Sequence, residues 1–169
     1  MLRRVIAIAA VVVTALLLQS TVFADLRLAG VRPELLYLVT ILIAFLEGPN
    51  QGAVVGFSSG LAQDFMLNQP KGITALTLTL LGYTVGMLRQ FIVSPSPLLP
   101  TFLVAAGTAA GVAFYEVVSF LLQNFNLPFT FAAKVALLTA AYNAVLTPIV
   151  FPVIRRLAEG SRPRRVVRF

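Results

Sequence analysis

The chain has no cysteine, no histidine and no tryptophan. Without cysteine there is no disulfide, no thiolate nucleophile and no thiolate metal site. Without histidine the commonest general base and the commonest metal ligand are gone. Hydrolytic chemistry would have to run on Asp, Glu, Ser, Tyr or Lys. Charge is scarce too: 11% of residues are charged, against about 25% in a soluble domain. What fills the space is apolar, 59% of the residues, with a mean hydropathy of +0.92. An integral membrane protein follows. A spanning helix takes about 20 residues, so six would use about 120 of the 169 and leave roughly 49 for loops and tails. No soluble catalytic domain fits in that remainder.

Six apolar stretches separated by turn-forming clusters give an all-α, six-transmembrane-helix bundle over residues 1–154, followed by a basic tail over residues 155–169. The first span runs from about Val5 to Phe23, behind Arg3 and Arg4. Its head also resembles a secretory signal ending in Val22-Phe23-Ala24, although the apolar run is long for one. The second opens at Pro33 and Glu34, residues that suit a helix start. Its apolar run, Leu35 to Leu46, covers only about 18 Å, so this helix is tilted, shielded by neighbours, or thins the bilayer. Glu47-Gly48-Pro49-Asn50-Gln51 reads as a turn, and the third helix runs from Gly52 to Met66. After a turn at residues 68–72 the fourth spans Ile73 to Met87. Ser94-Pro95-Ser96-Pro97 precedes the fifth, Leu98 to Leu122. The sixth runs from Phe131 to Ile154, with Pro148 and Pro152 expected to kink its end. The Gly-Ser-Arg-Pro-Arg-Arg composition of the tail is that of a disordered segment.

Six spans put both termini on one side. That side holds Arg3, Arg4, Arg89, Arg155, Arg156, Arg162, Arg164, Arg165 and Arg168; the other holds Arg27, Arg32, Lys71 and Lys134. The positive-inside rule places both termini in the cytoplasm. The net charge of +7 and pI near 10.9 are thereby explained by membrane flanks and attraction to anionic lipids. Nothing resembles a folded basic module, so no nucleic acid partner is expected.

Gly52, Gly56 and Gly60 recur at helical spacing, and Asp64 stands one turn on, on the same face. Such a ladder lets two helices approach closely where lipid supplies no hydrophobic drive. Gly82 with Gly86, and Gly107 with Gly111, repeat the spacing. These pairs fit packing within one bundle or docking of a partner helix. Asp64 and Glu116 are the interior acids, to be held neutral, paired or hydrogen-bonded; Arg89 and Lys134 are the candidate cations. No second transmembrane Asp completes an aspartyl-protease dyad, and proton-coupled transport would rest on a single acid. Tyr83, Tyr115 and Tyr142 fall within spans rather than at their ends, so their hydroxyls need interior partners. With Gln19, Gln63 and Asn143 they would line a small polar core, as inter-helix bonds or as a ligand pocket. No phosphate loop, metal-ligand cluster or nucleophile elbow occurs, so no catalytic residue, metal or cofactor is expected.

The ordered set Leu18-Gln19-Ser20-Thr21, Pro33-Glu34-Leu35-Leu36 and Gly48, then Gly52-x3-Gly56-Phe57-x2-Gly60-Leu61-x2-Asp64, Gly72-x2-Ala75-Leu76 and Gly82-Tyr83-x2-Gly86, resembles the rod shape-determining MreD family. From Ser94 onward only size and hydropathy agree, with Tyr142-Asn143 a minor echo. The resemblance implies a bacterial inner-membrane protein without enzymatic activity. It implies association with MreC and, through it, with MreB filaments, the RodA glycan polymerase and its transpeptidase partner. The family is also similar in fold to the S components of energy-coupling transporters, six-helix bundles that bind a vitamin or metal; that kinship transfers no substrate. A scaffold of the cell-elongation complex is the expected function, and a transporter-type binder of a small solute the alternative.

Overall fold

The structure is a computed structural model that describes residues 2–25, 31, 33–66, 72–92, 96, 98–122 and 129–160. Six helices follow one another: α1 (Leu2–Asp25), α2 (Leu35–Glu47), α3 (Pro49–Met66), α4 (Ile73–Arg89), α5 (Leu99–Leu121) and α6 (Phe129–Gly160). By length and composition α1, α5 and α6 can each cross a membrane, while α2 and α4 are apolar but shorter.

The shortness of α2 has a structural reason. Residues 35–44 are buried without a break, because α2 is packed against every other helix of the bundle. A helix that is apolar on all sides belongs in a core. Leu36, Leu38, Ile41 and Leu42 are fully buried there. Helices α1, α5 and α6 instead turn large apolar residues outward, among them Val13, Phe102, Leu137 and Val145. In water this surface would be a severe liability; facing lipid it is ordinary.

Two boundaries differ from the sequence reading. The expected five-residue turn between α2 and α3 shrinks to Gly48, which takes φ 97°, and Pro49 already opens α3. Pro at a helix start lacks only an N–H that would have been unpaired anyway. A left-handed φ at Gly48 reverses the chain at once, which a side chain would resist. At the other end α6 runs on through Arg155 and Arg156 to Gly160 rather than stopping at Ile154. Pro148 and Pro152 lie inside it. The remaining tail, residues 161–169, lies outside the described residues.

Candidate functional site

Helices α3 and α4 form the most intimate pair in the bundle, and glycine makes the approach possible. A methyl group added at Gly52 would fall 2.5 Å from Gly82 O and from Ala44 Cβ; at Gly60 it would fall 2.6 Å from Ala75 Cα. At Gly56 it would strike the Leu78 carbonyl, at Gly82 the Gly52 carbonyl, and at Gly86 the backbone of Pro49. The two backbones are thus in contact along the whole ladder. Gly107 and Gly111 serve otherwise. They face side chains of α2: a methyl at Gly107 would meet Ile41 Cδ1 at 2.9 Å, and one at Gly111 would meet Tyr37 Cε1 at 2.6 Å.

At the end of the ladder Asp64 is fully buried. Its Oδ2 accepts from the backbone N–H of Gly72 at 2.8 Å and of Ala75 at 3.2 Å. These are donors at the start of α4, which no intrahelical carbonyl can reach. Asp64 therefore caps α4 from the preceding helix, and a carboxylate there also suits the positive end of the helix dipole. Gly72, at φ 99°, gives the backbone the left-handed turn that leads into α4.

A second polar group gathers at the start of α2. Pro33 is buried, so the helix begins inside the bundle. Gln19 Oε1 of α1 accepts from Leu36 N at 3.4 Å, and its Nε2 donates to Glu34 Oε2 at 3.4 Å. Gln63 Nε2 of α3 donates to the same oxygen at 3.3 Å. Asn143 Nδ2 of α6 donates to the Glu34 carbonyl at 3.0 Å and to Thr108 Oγ1 of α5 at 3.2 Å. Four helices thus meet at or next to one residue. Gln63 Oε1, Asp64 Oδ1 and Asn143 Oδ1 are buried acceptors with no donor among the described residues.

Glu34 is the residue that sequence reasoning missed. In the sequence it reads as a local helix-end acid. The available signal was the Pro33-Glu34 pair ahead of a run too short to span, which sets that helix start inside the protein. Tyr83 needs the opposite correction. It is 45% exposed and lies on the outer face of α4 with Leu76 and Leu80. Gly82 and Gly86 must face α3, and the next residue, about 100° round the helix, points away. Tyr115, Glu116 and Tyr142 are half-buried on α5 and α6.

Neither candidate cation serves Asp64. Arg89 stands at the far end of α4, where its Nη1 donates to Leu46 O at 2.6 Å and its guanidinium lies 5.8 Å from the Phe45 ring centroid. It closes the C-terminus of α2 much as Asp64 closes the N-terminus of α4. Lys134 is exposed on α6. Among the described residues no group of three or more metal-ligating side chains occurs.

The family model described as rod shape-determining protein MreD matches residues 1–157. The chain belongs to the MreD family, and with it to the determination of rod shape. No curated protein and no solved structure matches it.

Proposed function

We propose that the chain is a non-catalytic scaffold of the cell-elongation complex, holding MreC in the bacterial inner membrane beside RodA, its transpeptidase partner and MreB. The observation that carries this reading is the family match over residues 1–157. The use of the buried polar groups supports it. Gln19, Gln63, Asp64 and Asn143 bond to helix ends and to one another's helices, which is work of assembly rather than of chemistry.

Six spans, with both termini cytoplasmic, belong to the proposal. Helices α2 and α4 cross with their short apolar runs shielded by neighbours, and α3 crosses with its small and polar residues turned onto α4. The excess of arginine at the termini gives the orientation. A bundle of six helices, five of them packed around α2, also suits the S-component likeness. Co-purification tests the reading: the full chain, solubilised with its membrane in detergent, should retain MreC. The second reading, a small-solute binder, draws on the buried acceptors of Gln63, Asp64 and Asn143. A solute raising the unfolding temperature in a saturable way, in a chain that retains no MreC, would favour it.

A further inference from the structure

Helix α1 is the most loosely held of the six, and it leaves an apolar groove against α6. The groove has a volume of about 520 Å³, with buried Leu35, Leu38 and Val39 of α2 in its lining. Thr14 is the sole polar lining residue among those described, and its hydroxyl donates to Ala10 O at 2.7 Å. The groove therefore presents hydrocarbon alone.

Its length is informative. The walls run from Ala7 to Leu18 on α1 and from Leu146 to Leu157 on α6. Each is about 18 Å at 1.5 Å per residue. The hydrocarbon core of a bilayer is about 30 Å thick. A partner's spanning helix would need a groove of that full length; the tail of a lipid from one leaflet needs half of it. At its far end the groove stops at Leu18 and Leu35, next in sequence to Gln19 and Glu34.

The near end is basic. Arg3 and Arg4 stand in the first turn of α1, about one turn before Ala7. On α6, exposed Arg156 falls about 20° from Ile149, on the same stripe. Two acids share this end: Glu159 in the last turn of α6, and half-buried Glu47, which lines a smaller cavity with Ala7 and Leu157. With Arg155 beside Arg156, four arginines against two glutamates leave the end positive. Basic pockets between helices at a membrane face recruit anionic head groups.

We propose that the α1–α6 groove is a binding site for an anionic phospholipid, one acyl chain lying along it and the phosphate at its arginine end. The inference does not depend on the scaffold reading. A lipid seated there fills the loosest seam of the bundle and stabilises the native state by mass action.

The full chain in detergent, titrated with dioleoylphosphatidylglycerol or dioleoylphosphatidylcholine, tests this by native mass spectrometry and thermal unfolding. The phosphatidylglycerol is expected to be retained and to raise the unfolding temperature; the phosphatidylcholine is not. Arg156→Gln should weaken that retention about fivefold, the attraction of one basic residue for an anionic surface. Ala10→Phe fills the groove from an exposed position and should abolish the shift while leaving lipid-free unfolding near wild type. If that variant does not fold, Arg156→Gln decides alone. Equal retention of both lipids, or wild-type retention in Arg156→Gln, would overturn the proposal. So would a partner helix crosslinked along the groove in a complex that holds no lipid.

Discussion

Each buried polar residue at the α2 start has a backbone or side-chain partner on another helix, and the strength of one such bond is measurable. Asn143 joins α6 to Thr108 of α5 and to the Glu34 carbonyl. Hydrogen bonds between membrane helices average about 0.6 kcal/mol in double-mutant cycles, because the separated helices find other partners. A cycle of Thr108→Val and Asn143→Leu, read by unfolding in detergent, should therefore give a coupling of about 0.6 kcal/mol. Asn143→Leu alone should cost more, about 1–3 kcal/mol, since it also strands a buried carbonyl. A coupling of zero would mean that the bond contributes nothing to the native bundle.

Helices read more easily than their contacts. The ladder Gly52, Gly56, Gly60 is legible because its spacing is periodic, and periodicity is a local property of the chain. The polar knot is not legible in that way: Glu34 meets residues 15, 29 and 109 positions distant in sequence. The role of Asp64 was hidden for another reason, in that its partners are backbone N–H groups, which no side-chain pattern announces. Tyr83 was recoverable by setting it against the ladder face of its own helix. The two kinds of glycine also looked alike in sequence. Gly56 meets backbone, which cannot move aside, whereas Gly107 meets the flexible end of Ile41. Gly56→Ala should accordingly cost about 3 kcal/mol or more, as overpacking that separates two helices, and Gly107→Ala about 1 kcal/mol. Thermal unfolding of the two variants compares them; equal losses would argue against backbone contact in the α3–α4 pair.

At the scale of the whole molecule, three helices meet the length and composition of a span on their own, and the other three do not. That division follows from one buried central helix and one glycine-packed pair. The proposed topology predicts that a reporter fused after Phe169 is active only in the cytoplasm. Periplasmic activity would remove the six-span count and the orientation together.

The central claim is that the interior polar groups assemble the bundle and perform no reaction, and Asp64 tests it most directly. Asn is nearly as good a helix N-cap as Asp, so Asp64→Asn keeps the acceptor for Gly72 and Ala75 and removes only the charge. Asp64→Leu leaves those donors without it. Cell shape and MreC co-purification should be measured together for both variants. The account predicts that Asp64→Asn retains rod shape and MreC, and that Asp64→Leu loses both. Loss of rod shape by Asp64→Asn, with a stable protein and an intact MreC complex, would contradict it.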